Sequence, residues 1–416
     1  MRRVDQFPHR VRHVEHTLVP TRDGTRLAAR LWIPDDVIEP VPALLEFIPY
    51  RKRDMTRARD ALAHPYFAGH GFASVRVDLR GSGDSEGILT DEYLEQEQLD
   101  AMDIMAWLEE QPWCNGRVGM FGISWGGFNA LQVAALRPPQ LGAIISVCST
   151  DDRYADDVHY MGGCLLGDNL SWASTMFAYN SCPPDPALVP EWRERWLARM
   201  ERSGLWLDQW LRHQRRDEYY EHGSVCENYD DVQVPVLAVS GWADGYTNGV
   251  FRMLENLSTP CWGLIGPWGH AYPHIGSPGP AIGFLQESVR FWERWLSGTP
   301  NGYEATPALR AYMQGFEPPS ASYESRHGRW VALGRWPVAP AQTLTYSLRP
   351  GLLVESDEFG LGENEHVQTI LSPLTLGQFA GKWCSYTATP DLPGDQREED
   401  GGALVYDSPP LEAPIE

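Results

Sequence analysis

The segment Gly119-Met-Phe-Gly122-Ile-Ser124-Trp125-Gly126-Gly127 contains the pattern Gly-x-Ser-x-Gly. Apolar Val118 to Phe121 predicts a short buried strand, and the run from Trp125 to Leu136 predicts a helix. A serine in the tight turn between them stands at the tip in strained geometry with its hydroxyl presented, as a nucleophile elbow requires. Side chains at 122 and 126 would clash with the neighbouring strand and helix. The N–H of Trp125, first in the helix, faces the place where an oxyanion would form. A serine hydroxyl is a poor nucleophile at neutral pH; it needs a base, and the base needs an orienting carboxylate. Two later strand-like runs supply both in register. Val234 to Ser240 leads into Gly241-Trp-Ala-Asp244-Gly245, and Cys261 to Ile265 leads into Gly266-Pro-Trp-Gly-His270. Asp244 and His270 thus follow strand ends in the order Ser, Asp, His. Asp230 and Asp231 precede their strand and sit at the wrong end. His274, one short loop further on, is the serious rival to His270.

The elements that must position these groups alternate strand and helix. Glu15 to Pro20 and Arg26 to Pro34 predict a hairpin about Thr21-Arg-Asp-Gly24. Ala43 to Phe47 predicts a buried strand whose exit carries Tyr50, either a phenol donor to an oxyanion or a packing residue. Phe72 to Val77 predicts the next strand, running into the glycine-rich Asp78 to Gly87. That loop lacks Gly-Lys-Ser/Thr and carries three acids, so it reads as buried ion pairing by Asp78 and Arg80, not as a phosphate cradle. A helix is expected over Asp91 to Gln111 with Asp91 as its N-cap, and a strand over Ala143 to Val147. From Asp151 to Asp231 no strand recurs; short helical pieces carry Trp172, Trp192, Trp196, Trp206 and Trp210, an insertion that reads as a cap. Trp172 there either lines an apolar substrate site or packs the cap together with the other tryptophans, and Trp242 beside Asp244 is a further candidate wall. After Gly302 helical periodicity ends. Strand-like runs at Ala308–Met313, Trp330–Leu333, Gln342–Leu348, Val367–Leu371 and Ala403–Tyr406 predict an all-β module. The expected organisation is an α/β core over 1–150 and 232–302, a helical cap over 151–231 and a β domain over 303–416.

Bulk properties narrow the partners. The chain has 416 residues and a formal net charge of −22, which disfavours nucleic acid. The first twenty residues lack an apolar h-region, and no run is long and apolar enough to span a bilayer. Seven unpatterned cysteines with no CxxC suggest reduced thiols in a cytoplasm, and no zinc spacing occurs. Neither a metal nor an organic cofactor is expected, and the oligomeric state is open.

The phrases Gly122-Ile-Ser-Trp-Gly-Gly, Gly241-Trp-Ala-Asp-Gly and Gly266-Pro-Trp-Gly-His resemble the S15 peptidase/CocE-NonD hydrolases, as do Pro49-Tyr50, Asp78-Leu-Arg-Gly-Ser-Gly-Asp-Ser-Glu-Gly and Leu404-Val-Tyr-Asp-Ser-Pro-Pro-Leu. The resemblance implies an α/β-hydrolase core, a helical cap and a C-terminal jelly-roll. It implies Ser124 as nucleophile, Asp244 as orienter, His270 as general base, and Tyr50 with the Trp125 N–H as oxyanion donors. Members of that family usually continue past the point where this chain stops, so the jelly-roll is expected to be incomplete. Asp156-Asp157 are the candidate part of a carboxylate cluster for a substrate ammonium; the acidic pair expected after Asp244 is replaced by Gly245-Tyr246. The implied function is a serine hydrolase cleaving an ester or amide of a small molecule through an acyl-enzyme on Ser124. The alternatives are an Xaa-Pro dipeptidyl-peptidase acting on short peptides, with Asp151, Asp152, Asp156 and Asp157 either anchoring the substrate amine or capping the helix that follows, and a non-catalytic ligand-binding protein with a vestigial triad.

Overall fold

A computed structural model describes residue 4 and residues 6–338, 344–355, 367–386 and 390–412. The hairpin forms as expected: β1 (Val11–Pro20) pairs antiparallel with β2 (Arg26–Pro34). Its turn closes through Gly24 at φ 86°, a conformation that glycine adopts without steric cost. There follow β3 (Val41–Ile48), α1 (Arg57–Gly69), β4 (Ala73–Asp78), α2 (Glu95–Glu109), β5 (Cys114–Ile123), α3 (Trp125–Ala135) and β6 (Leu141–Val147). The segment after β6 holds a two-residue hairpin, β7 (Tyr160–Met161) and β8 (Cys164–Leu165). It also holds four helices, α4 (Asp168–Asn180), α5 (Trp192–Arg202), α6 (Trp206–Arg212) and α7 (Glu218–Glu221). The sheet resumes with β9 (Val236–Gly241), α8 (Thr247–Asn256), β10 (Cys261–Gly266) and α9 (Phe284–Trp295), then β11 (Leu309–Gln314) and β12 (Gly328–Leu333).

These strands form one ten-stranded sheet in the order β1-β2-β4-β3-β5-β6-β9-β10-β11-β12. The run from β4 to β11 is parallel throughout, and β2 and β12 flank it antiparallel. A parallel strand covered by helices on both faces needs a continuous apolar sequence. β4 is accordingly buried at every position, β3 at all but its first, and β5 at its last six.

Several expectations take a different form. The helix α1 was not foreseen: its sequence opens Arg-Ala-Arg-Asp and holds Pro65, which mask its apolar face. The helix expected from Asp91 starts at Glu95 with Leu94 as its cap. The carboxylate of Asp91 accepts instead from Trp210 Nε1 at 2.8 Å and from the Tyr219 hydroxyl at 3.0 Å, so it is committed to the helical insertion. The first two runs of the expected β module, β11 and β12, extend the main sheet, Leu309 pairing with Gly263 of β10. Beyond them β13 (Tyr346–Arg349) and β14 (Leu352–Glu355) form a separate hairpin, and Val367–Leu371 and Ala403–Tyr406 are not strands. A jelly-roll is not found among the described residues; Gln342 lies outside them. No described helix is long and apolar enough to cross a membrane.

Asp78 and Arg80 do not pair with each other. Asp78 receives the Lys52 N–H at 2.8 Å and lies 3.4 Å from Arg76 Nη1, while Arg80 pairs with Asp100 and Asp23. Arg76, fully buried on β4, also lies 3.6 Å from Glu46 and 3.4 Å from Asp60. Removing it leaves carboxylates buried without their shared counter-charge. Arg76→Met is expected to lower unfolding free energy by about 3–5 kcal/mol, read by urea denaturation.

Candidate active site

Ser124 lies between β5 and α3 at φ 59°, ψ −125°, a conformation that costs a side-chain-bearing residue about 1–3 kcal/mol. The surroundings over-determine it. Its N–H donates to the Val147 carbonyl at 2.9 Å, and its own carbonyl accepts from Gly127 and Phe128 N–H at 2.7 and 3.0 Å. A Cβ on Gly122 would stand 2.5 Å from the Gly126 Cα. The Trp125 side chain is buried, and its indole donates to Glu97 Oε1 at 2.5 Å. Burial pushes the Glu97 carboxyl up to about 8, so it stays protonated at neutral pH.

Asp244 and His270 leave adjacent parallel strands, β9 and β10, at the same end of the sheet. The two exit loops are tied together by Trp242 N–H to the Gly266 carbonyl at 2.9 Å and Ala243 N–H to the Trp268 carbonyl at 3.1 Å. His270 Nδ1 lies 2.9 Å from Asp244 Oδ1. An ionised carboxylate only accepts, so this contact fixes the proton on Nδ1 and leaves Nε2 as the basic nitrogen. Burial alone would raise the Asp244 carboxyl; the neighbouring His270 and hydrogen bonds from His270, Ser240 and Cys148 outweigh it and hold the group below its usual range. The rival His274 is a core residue. It stacks on Phe284, neither ring nitrogen has a hydrogen-bond partner, and burial lowers it to about 4.

Ser124, His270 and Tyr50 line one cavity of 640 Å³, walled by aromatic rings that include Trp172, Tyr246 and Trp383. The Tyr50 hydroxyl is hydrogen-bonded to Ser124, and burial pushes its phenol well above the usual range, so it remains a neutral donor. Its ring meets Trp125 and Trp172 edge-on, with centroids 6.4 and 6.3 Å away. Trp172 is anchored from below: its Nε1 donates to Glu92 Oε2 at 3.0 Å, and the other Glu92 oxygen takes His159 Nε2 at 2.5 Å. Burial opposes a charge on His159, but the Glu92 carboxylate prevails and raises it, making a buried ion pair.

The other candidate substrate contacts are placed differently. Trp242 is exposed, stacks on Phe251 and donates to the Tyr312 carbonyl at 2.6 Å, away from the cavity wall. Asp156 is held by Arg252 at 2.7 Å and by the Thr150 hydroxyl at 2.6 Å. Asp157 is buried behind the cavity wall, accepting from the Tyr246 hydroxyl at 3.2 Å and from the Val158 N–H at 2.6 Å. Sequence reasoning missed the segment 382–386, whose Lys382, Trp383, Cys384 and Tyr386 all line the cavity. His270 N–H donates to the Ser385 carbonyl at 2.6 Å, and Tyr386 packs edge-on against the imidazole at 5.2 Å. Its residues carry neither helical nor strand periodicity, so no pattern flags them.

A mostly parallel sheet with a strand–turn–helix elbow and functional groups at successive strand exits defines the α/β-hydrolase fold. The chain belongs to the X-Pro dipeptidyl-peptidase (S15 family), which matches residues 23–272. It is 28% identical to a cocaine esterase of Rhodococcus sp. (strain MB1 Bresler) over 73% of this chain and 58% of that one. It is 27% identical to a putative serine esterase of Mycobacterium bovis over 96% of this chain and 73% of that one. A CocE/NonD family hydrolase from Staphylococcus aureus superposes with a TM-score of 0.65 at 20% identity, covering 82% of this chain and 60% of that one. The chain therefore spans about three fifths of the length of the cocaine esterase and of the S. aureus hydrolase.

Glu97 generates a pH prediction. Its carboxyl ionises near 4.5 in the unfolded chain and near 8 when folded. Its contribution is intact below about 4.5 and declines as pH rises to about 8, because the unfolded state loses its proton first. Glu97→Gln keeps an acceptor for the indole and cannot ionise. Its stability relative to wild type should rise across that window by on the order of 5 kcal/mol, read as the difference in unfolding free energy against pH.

Proposed function

We propose that the protein is a serine hydrolase that cleaves an ester or amide bond of a small molecule by two-step acyl transfer. The observation that carries this reading is the 2.9 Å contact of His270 Nδ1 with Asp244, on a cavity that His270 shares with the strained Ser124. The His270 Nε2 takes the Ser124 proton as the hydroxyl attacks the substrate carbonyl. Asp244 orients the imidazole and stabilises the imidazolium that forms. The oxyanion is held by the Tyr50 phenol and the Trp125 N–H, each worth on the order of 3 kcal/mol in the transition state. His270 then protonates the leaving group, and water, activated by the same nitrogen, releases the acyl group from Ser124.

The walls favour an apolar or aromatic acyl or leaving group. A dipeptidyl-peptidase needs a carboxylate for the free amine of its substrate; Asp151 and Asp156 are both paired with Arg252, and Asp168 in the cavity wall already faces the charge of Lys382. An ester or acylase substrate is therefore preferred to an Xaa-Pro peptide. A p-nitrophenyl ester should turn over much faster than a Gly-Pro-anilide; the reverse order would favour the peptidase reading.

A fluorophosphonate probe should label wild type on Ser124, and Ser124→Ala should not be labelled. A wild-type protein that stays inert while binding ligand would instead indicate a non-catalytic role. Tyr50→Phe should lower kcat by about 10²–10³-fold with KM little changed, because the phenol acts on charge that develops in the transition state.

A further inference from the structure

The carboxylate side chain of Asp244 is fully shielded from solvent. An ionised carboxylate in that position needs several donors, and the imidazole supplies only one. Ser240 Oγ donates to Oδ2 at 2.6 Å. The Cys384 thiol donates to Oδ1 at 3.5 Å, the oxygen that also takes His270 Nδ1. A second thiol, Cys148 at the exit of β6, hydrogen-bonds the same carboxylate. Its sulfur, a carboxylate oxygen and a His270 ring nitrogen all lie within 4.8 Å of one another.

Both thiols are buried and arrive from unrelated parts of the chain. Cys148 adopts φ 49°, a backbone conformation rarely taken by residues with side chains, while its N–H donates to the Val239 carbonyl at 2.7 Å. Cys384 belongs to the segment that covers the imidazole. That segment is pinned by Ser385 N–H to the Ala243 carbonyl at 3.3 Å and by Ser385 Oγ to Asp391 at 2.6 Å. Burial, reinforced by the adjacent Asp244 charge, pushes both thiols well above the ordinary range. They face the carboxylate as S–H donors and not as thiolates.

We propose that Cys384 and Cys148 are positioning residues that clamp the Asp244 carboxylate against His270 through weak S–H bonds. The inference rests on the roles given above to Asp244 and His270. The choice of sulfur has a chemical reason. A hydroxyl at position 384 would be a stronger donor and would draw negative charge from the oxygen that serves Nδ1–H, weakening its support of the imidazolium. A methyl group would leave more charge on that oxygen and less restraint on its position. The thiol fills the space, satisfies part of the desolvated carboxylate, and leaves the imidazole as its main partner.

The other titratable groups facing this assembly are Tyr246 and Tyr386, whose rings lie 5.7 and 5.2 Å from the imidazole, and Ser124 on the shared cavity. Beyond them stand Asp168 and Lys382 in the cavity wall and Asp157 behind Tyr246. Tyr246 and Tyr386 feel the Cys384 sulfur, but burial holds both phenols well above the usual range, so neither changes charge where an imidazole titrates. The test compares wild type, Cys384→Ser and Cys384→Ala by NMR titration of the His270 imidazole, assigned with His270→Gln, and by the pH dependence of fluorophosphonate labelling. The expected result is a signed pair: the serine variant moves the titration midpoint down by about half a pH unit, and the alanine variant moves it up. The acid limb of labelling should follow in the same directions. A midpoint unmoved in both variants, or moved the same way in both, overturns the proposal. Should the alanine variant fail to fold, the direction in the serine variant alone decides. The titration does not require turnover, so an inert wild type would refute the hydrolase reading while the thiol clamp is still decided by the midpoints.

Discussion

The close approach of β5 and α3 at Ser124 is the constraint on which the rest depends. There is no room at Gly122 for even one more carbon, and the serine between strand and helix is forced to φ 59°. Such a turn persists only where its neighbours hold it. The Val147 carbonyl on β6 takes the serine N–H, and the first turn of α3 takes its carbonyl oxygen. Beneath it, Glu97 from α2 holds the Trp125 indole. Strand, helix and underlying carboxyl therefore locate one hydroxyl, and the other side chains of the cavity are placed relative to it.

The second organising feature is burial of charge. Asp244 faces His270 with its side chain wholly shielded. Glu92 lies under Trp172 and Arg76 lies among Glu46, Asp60 and Asp78, each also withdrawn from water. Such groups are costly alone and well defined when paired, because their partners must keep a fixed geometry. The network of Glu92, His159 and Arg153 joins the loop before α2 to the helical insertion. It carries the aromatic wall that Trp172 presents. The insertion is thereby fastened to the core through polar contacts under its apolar face.

What could be read from sequence follows the range of the interactions involved. The elbow is local, and Asp244 and His270 each lie within a few residues of a strand end, so strand position alone placed them at one end of the sheet. Tyr50 was ambiguous because a strand-exit tyrosine has two uses, and only its contact with Ser124 separates them. Trp242 and Asp156 were misjudged because adjacency in sequence says nothing about facing: one points to Phe251 and the other is held by Arg252. The strands β11 and β12 looked like the start of a new module because α9 interrupts the sheet before them, and period-two runs do not reveal which sheet they join. The wall formed by residues 382–386 has no signature, since its role comes from contacts with His270 and Asp244 across more than a hundred residues of chain.

That separation has a temporal meaning. During synthesis the elbow, the cap and both partner strands emerge well before Cys384. Until residues 382–386 arrive, the carboxylate of Asp244 lacks the Cys384 donor, and the imidazole lacks the flanking ring of Tyr386. A nascent chain can thus hold Ser124, Asp244 and His270 in order while the cavity still lacks the wall that residues 382–386 supply. The finishing piece comes from 140 residues beyond Asp244, which delays a sequestered site until the sheet that carries it has been made.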